Sequence, residues 1–349
     1  MFFIRGSIEK KQLSQQMASR WSQSKDVTQV SVFFSKDQMI TEDQLIGFEY
    51  TLDAKLEEAS IKTPDDKPDA RLWQDAYSAS GSLYASTDRG GISLKAIGVS
   101  GDFFQFHPQD LRYGSYFSDR LMNKDLVVID EETAWQLFGG INVPGKFIYI
   151  NGTPYMISGV IKRPQGKLEK AAGEGDPTIY LSFEAFKKET GNEFLETYEI
   201  VLPNPIKDFG MNMVKDNLTV DVKRTEFVEN TGRYSILSSI LLLKQFGLRS
   251  MRTNDIIYPY WENIAKAYED ILALLTVFML LFFAVPVLTI IIYLIYRWKH
   301  KKWTFSSVFE SVMGRFERWK EKLREKKKPK RDKPIMITFD DEEEKDEKE

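Results

Sequence analysis

The residues of this chain with the greatest chemical reach are few. His107 stands beside an acid in "FHPQD", the pairing that a general base needs, yet the chain contains no cysteine and no Gly-x-Ser-x-Gly elbow to present a nucleophile. His107 is therefore read as a loop residue. Asp65-Asp66 and Glu131-Glu132 are adjacent carboxylates, one pair in a linker and the other at a helix start, where solvation and the helix dipole account for them. "AAGEGDP" (171–177) lacks the Lys-Ser/Thr of a nucleotide loop and reads as a mobile connection. Asn151 and Asn217 fit N-x-Thr sequons, a pattern that also arises by chance. With His107 and His300 the only histidines, disulfides and Cys/His zinc sites are excluded. No catalytic residue, cofactor or metal site is expected, and the chain is not expected to be an enzyme.

One glycine-rich stretch decides whether phosphate chemistry stays open: "LFGGINVPGKFIYINGTPYMISGVI" (137–161). A phosphate loop runs from strand to glycines, with Lys and Ser/Thr, and then to helix. Here the order is helix, glycines, strand. "KFIYI" and "TPYMISGVI" are apolar runs separated by Asn151-Gly152, the dipeptide that supplies two positive-φ residues to a tight turn. The stretch is read as a hairpin.

The elements around it form a pattern. "QVSVFFS" (29–35) has the bias of a strand; "TEDQLIGFEYTLDAKLEEAS" (41–60) opens on a Thr cap and spaces Leu45, Phe48, Leu52 and Leu56 as a helix; "RLWQDAYSASG" (71–81) reads as a strand. A second unit comprises "YEIVLP" (198–203), a helix over 204–218 with Asn204 as cap and Pro205 at its first position, and "TVDVKR" (219–224) as a strand. Two such units suggest a split β-α-β-β-α-β sheet with helices on one face. Between them, "GISLKAIGVS" and "DLVVID" read as strands and "EETAWQLFGG" as a short helix stopped by Gly139 and Gly140.

Composition supplies the setting. The 349 residues carry 48 basic and 51 acidic side chains and are 42% hydrophobic, enough for a sizeable core and without bias toward nucleic acid, which is not expected as a partner. Residues 271–296, "ILALLTVFMLLFFAVPVLTIIIYLIY", hold no charge and exceed the roughly 20 residues that cross a bilayer core. They are read as a transmembrane helix, with Pro286 kinking it or opening a backbone acceptor. Arg297, Lys299, Lys301 and Lys302 follow the span, so the C-terminus is expected in the cytoplasm and the large N-terminal domain outside. "MFFI" is too short for a signal sequence; Phe2 to Ile4 is expected to be the outer end of an earlier membrane helix.

Taken in order, "LKAIGVSGDFFQF", "LVVIDEETAWQLFGG", "VPGKFIYINGTPYMISGVI" and "PTIYLSFEAF" resemble the extracytoplasmic core domain of MacB-like ABC transporter permeases over most of residues 28–230. The resemblance implies a non-catalytic domain of two lobes, one porter-like and one inserted and β-rich, that relays the movements of a cytoplasmic ATPase. Complete permeases of that family have one membrane helix before the domain and three after it. In this chain one follows, and "WTFSSVFESVMGRFERWKEK" occupies the place of the coupling motif.

The expected fold is α+β, a two-lobed extracytoplasmic domain plus a C-terminal transmembrane helix. Its parts are an N-terminal stalk (1–27), a core domain (28–235) with an inserted lobe at about 82–177, a second stalk (236–270), the span (271–296), a basic amphipathic cytoplasmic segment (297–333) and a disordered acidic tail (334–349). Tyr258, Tyr260 and Trp261 are of the kind that settles at headgroup depth, so residues 236–270 read either as a stalk leaning on the membrane or a partner, or as the last core helix plus a linker. Phe309, Phe316 and Trp319 share an apolar helical face opposite Arg315, Arg318, Lys320 and Lys322, as in a helix lying on an anionic inner leaflet. The function so implied is a permease-like ABC transporter subunit with the lipid bilayer, an ATPase subunit and a partner permease or a second copy as partners. The alternative is a membrane-anchored binding or scaffold protein without an ATPase.

Overall fold

The computed structural model describes residues 2–22, 26–62, 71–118, 123–164, 166–249, 256–300 and 305–325. Asp65-Asp66, the end of the basic segment and the acidic tail lie outside the described residues. The chain divides into two compact units, Met1–Leu280 and Leu281–Glu349.

The strands are β1 (Val27–Phe34), β2 (Gln74–Thr87), β3 (Gly90–Gly101), β4 (Leu111–Gly114), β5 (Leu126–Asp130), β6 (Phe147–Ile150), β7 (Thr153–Ile161), β8 (Thr178–Ser182), β9 (Thr197–Pro203) and β10 (Thr225–Glu229). The helices of the first unit are α1 (Phe2–Lys11), α2 (Met17–Trp21), α3 (Glu42–Glu58), α4 (Phe103–Phe106), α5 (Glu131–Phe138), α6 (Lys167–Glu169), α7 (Phe183–Thr190), α8 (Phe209–Asn217) and α9 (Ile236–Arg249). Helix α10 (Tyr260–His300) begins there and continues into the second unit, which also holds α11 (Phe305–Glu325).

One sheet runs through both lobes, in the order β10-β1-β9-β2-β3-β8-β5-β7-β4, with β6 pairing β2 and β7. Its first four strands are antiparallel neighbours built from β1-α3-β2 and β9-α8-β10, the split β-α-β arrangement. The long β2-β3 hairpin is the spine: the start of β2 pairs β9, its end pairs β6, and β3 pairs β8 in parallel. The lobes therefore share a backbone ladder, and bending one against the other deforms strands.

Helix α3 forms where its sequence asks for it. Thr41 and Gln44 make a reciprocal capping box, and Leu45, Phe48, Leu52 and Leu56 fall on one face and are buried. Burial stabilises by about 1.5–3 kcal/mol for each side chain of this size. Asp130 caps α5 by accepting from the Thr133 N–H at 2.7 Å, and its other oxygen accepts from the Thr178 N–H at 2.6 Å. One carboxylate thus fixes a helix start and pins β8. Gly139, at φ 72°, ends α5 in the left-handed conformation. At the hairpin, Asn151 and Gly152 sit at φ 50° and 84°, and Ile150 pairs Thr153 directly across the turn.

Several elements depart from expectation. Helix α8 starts at Phe209 rather than behind Asn204, because Asp208 turns left-handed at φ 63°; the Asn204 side chain accepts instead from the Gly210 N–H. "TVDVKR" contains a 3-10 turn at Val222–Arg224, and the edge strand follows at β10. "AAGEGDP", expected as a mobile connection, starts inside a π-helical turn at Lys170–Glu174 that follows α6, with Gly173 at φ 102°. Helices cover both faces of the sheet, not one. A first core packs α3, α5, α7 and α8 on one side, while Met17, Ala18, Phe103, Phe106, Tyr260 and Trp261 close the other. The helix that closes the second face is the start of α10, so stalk and apolar span are one helix of 41 residues, about 60 Å at 1.5 Å per residue. It is the one helix among the described residues long and apolar enough to cross a membrane, by length and composition.

Candidate functional site

The second face of the sheet is where the domain meets its helices, and it is unusually polar for a buried surface. Strand alternation sends Val30 and Val32 into the first core and leaves Gln29 and Ser31 to face α10's side, where Glu199 of β9 also points. Water does not reach these groups, so each must find a protein partner. His107, just past α4, is wholly buried and pairs through Nε2 with Glu199. The other Glu199 oxygen accepts from Ser31 Oγ at 2.6 Å; Ser31 accepts from Asn230 Nδ2 at 2.7 Å; Asn230 Oδ1 accepts from Arg233 Nη1 at 3.1 Å. The chain of hydrogen bonds thus crosses from the α4 loop through two strands to the turn after β10.

From there it passes into α10. Glu262, Lys266 and Glu269 recur at i, i+4 and i+7, on one helical face. Arg233 grips Glu262 with both terminal nitrogens at 2.7 Å and donates Nε to Glu269 at 2.5 Å. Both Arg233 and Glu262 side chains are almost fully buried. Burial alone lowers the Arg233 pKa, but the charges and hydrogen bonds of Glu262 and Glu269 outweigh it and hold the guanidinium well above its ordinary value. Lys266 reaches Glu226 of β10 at 3.4 Å and lies over the Tyr258 ring at 3.4 Å. Desolvation pushes Glu226 up despite Lys266.

The first turn of α10 also touches the inserted lobe. Tyr260 Oη accepts from Gln109 Nε2 at 2.7 Å and lies 3.3 Å from Tyr180 Oη, while the Trp261 ring lies 4.1 Å from that of His107. Further along the same helix, Thr276 Oγ1 accepts from Arg5 Nη1 at 3.0 Å. Arg5 also donates to Ser239 Oγ at 2.7 Å and to the Tyr234 carbonyl at 2.8 Å, joining α1, α9 and α10 through one guanidinium. Burial pushes the Arg5 pKa down, with the Glu9 carboxylate opposing. The Ser31 hydroxyl, Glu199 and His107 are all buried, closed off from any solvent-borne substrate, and among the described residues no group of three or more His, Asp or Glu is set to hold a metal ion. What it can do is mechanical: it fixes α10 to both lobes.

The aromatic residues expected at headgroup depth sit in this junction. Tyr260 and Trp261 are 5% and 4% exposed, and Tyr258 bonds Glu226 and packs edge-on against Phe33 at 5.4 Å. The Tyr260 and Trp261 rings dock α10 on the sheet and are not available to lipid, while Tyr258 is half-buried. Phe309, Phe316 and Trp319 are 66%, 51% and 58% exposed on one face of α11. His107 follows α4 outside regular structure, as expected, but its burial against Glu199 was not foreseen, nor were the roles of Arg5, Arg233, Glu262 and Glu269. The i, i+4, i+7 spacing on α10 was the available signal. It named no partner, because Arg233 lies 29 residues away from Glu262.

The domain is mixed α+β, with a split β-α-β sheet, an inserted β-rich lobe and a long helix held at its start by a buried ionic junction. Residues 10–223 match the sequence model of the MacB-like periplasmic core domain. The chain belongs to this family, a domain family of ABC transporter permeases. It is 25% identical over 146 residues to the macrolide export ATP-binding/permease protein MacB of Pasteurella multocida, a match covering 41% of this chain and 22% of that protein's length. Among solved structures, the extracellular domain of the noncanonic ABC-type transporter YknZ from Gram-positive bacteria is 18% identical, covers 57% of this chain and 99% of that one, and gives a TM-score of 0.39. The periplasmic region of MacB from Actinobacillus actinomycetemcomitans is 12% identical, covers 60% and 92%, and gives 0.41.

Proposed function

We propose that the chain is a non-catalytic, permease-like membrane subunit of an ABC transporter, in which α10 carries movement between an extracytoplasmic domain and the membrane. The observation that supports this most is the continuity of α10. Its first ten residues are held by buried ion pairs and aromatic contacts, and the same helix runs on through the apolar stretch without interruption. Breaking a buried ion pair leaves an uncompensated charge and costs about 3–5 kcal/mol, so rotation or piston movement of the helix drags the domain with it. The basic excess after the span supports the orientation in this proposal, with the C-terminus in the cytoplasm and the domain outside. On this reading α11 lies on the inner leaflet, its exposed Phe309, Phe316 and Trp319 inserted and its Lys/Arg face on anionic headgroups. Energy comes from a separate ATPase subunit, with a partner permease or a second copy completing the membrane part. The test is affinity purification of the full chain from its own cells in mild detergent. An ATPase bearing a Walker A motif is expected in fixed ratio. Repeated recovery of the chain without any ATPase would support the membrane-anchored scaffold instead.

A further inference from the structure

Helix α9 has a face that the domain does not cover. Ser239 turns inward to Arg5, and on the opposite side Leu237 and Leu241, one helical turn apart, are 66% and 51% exposed, followed by exposed Lys244 on the same stripe. In α1, the residues next to Arg5 are equally bare: Phe3 and Ile4 are 90% and 51% exposed. Exposed leucines alone identify no occupant. The height of these residues along α10 does.

Arg5 supplies that height. Its guanidinium bonds Ser239 Oγ at 2.7 Å and Thr276 Oγ1 at 3.0 Å, so α9 approaches α10 to within the width of one guanidinium group. Thr276 is the sixth residue of the uncharged run that starts at Ile271, and Leu274 and Phe278 on either side of it are exposed. A helix whose outward leucines stand level with the start of a membrane-spanning run has hydrocarbon, not water, beside it. Ser239, in contrast, is buried and turned to Arg5, while Ser235 and Ser238 bond each other and the Gly232 carbonyl in the exposed turn at the start of α9.

We propose that α9 is an interfacial helix docked in the domain-side leaflet, with Leu237 and Leu241, joined by Phe3 and Ile4, covered by lipid acyl chains, and that Arg5 is the positioning residue that holds it at that depth. The proposal rests on the reading that α10 crosses the bilayer. It adds a second, shallow attachment of the domain to the membrane, set beside the span, so that movement of α10 is felt against the leaflet surface.

The absence of cysteine makes the test clean. Spin labels are placed on the full chain in phosphatidylcholine/phosphatidylglycerol nanodiscs through Leu237→Cys and Leu241→Cys, with Leu288→Cys in the span and Tyr50→Cys on α3 as references. Collision with oxygen and with a nickel chelate is then measured. The expected result is an oxygen-to-nickel collision ratio at 237 and 241 shifted from that of 50 toward that of 288. Adding Arg5→Met should return 237 and 241 toward the value at 50 while 288 stays put. Ratios at 237 and 241 equal to that at 50, with 288 in lipid, would overturn the proposal alone. Low collision with both reagents at 237 and 241 would also overturn it, since protein would then cover the face. Water exposure at 288 would overturn the span reading together with the proposal.

Discussion

Arg233→Met removes the guanidinium that makes four hydrogen bonds in the junction, one to Asn230, two to Glu262 and one to Glu269. Of the carboxylates left behind, Glu262 is buried at 1% side-chain exposure and Glu269 is half-buried at 16%. Removing one partner of such a pair costs about 3–5 kcal/mol, and Lys266, 3.9 Å from Glu262, offsets part of the uncovered charge. The lower end, about 3 kcal/mol, is therefore expected, on the order of a hundredfold in the equilibrium for lifting α10 off the sheet. Amide hydrogen exchange on the full chain in detergent reads this locally. Amides of residues 263–271 should exchange on the order of a hundredfold faster in the variant, while those of β5 and β7 should not change. Adding Glu262→Gln and Glu269→Gln should recover much of the loss, because no bare charge then remains buried. Unchanged protection at 263–271 in Arg233→Met would refute the reasoning, since the helix would then be held by something other than this network.

Three further outcomes are expected. Gly152→Val meets no atom within 4 Å, yet it forces a β-branched residue to φ 84°; it should destabilise the first unit by about 1–3 kcal/mol in thermal unfolding, and no change would count against the turn. Asp75 is pushed well above the ordinary carboxylate range by burial and then by the neighbouring Glu49, and its Oδ2 has no hydrogen-bond partner. The folded state thus takes up this proton before the unfolded one, so stability rises as pH falls through the raised pKa, and the buried anion costs most above it. Asp75→Asn should raise the melting temperature at neutral pH, with the gain shrinking toward about pH 4, where the unfolded carboxyl also protonates; a gain independent of pH would contradict this. A peptide of residues 303–323 should turn helical on anionic vesicles, release as salt rises, and bind neutral vesicles weakly, whereas replacing Phe309, Phe316 and Trp319 by Ser should leave only a weaker, salt-sensitive association.

The elements legible in the sequence are those whose signals are local. Thr41 and the 45/48/52/56 spacing specify α3, Asn151-Gly152 specifies a hairpin turn, and Gly139 ends α5, because each depends on residues within a few positions. The start of α8 was misplaced because Asn204 and Pro205 carry a helix-start pattern, and only the left-handed turn at Asp208 delays it. The junction was not legible for a different reason. Glu199 is 92 residues from His107 and 168 from Ser31, and Arg5 is 271 residues from Thr276, so the partners meet only after the sheet has assembled and α10 has docked. Tyr260 and Trp261 show the hazard most plainly. Aromatic residues ahead of an apolar run carry the same pattern whether they face headgroups or close a core, and the polar groups they cover here lie on distant strands.

The central claim, that α10 and the domain move as one body when the transporter cycles, is tested most directly by distance measurement inside one chain. Spin labels introduced by Tyr50→Cys on α3 and Leu274→Cys on α10, both at exposed positions, report across the junction in the complex purified with its ATPase. Pulsed electron resonance is recorded without nucleotide and with ATP trapped. The distribution between the labels should stay the same in both states, while the distance from the Leu274→Cys label to a label on the ATPase changes. A nucleotide-dependent change in the 50–274 distance would contradict the account, because the helix would then slide on the sheet instead of carrying it.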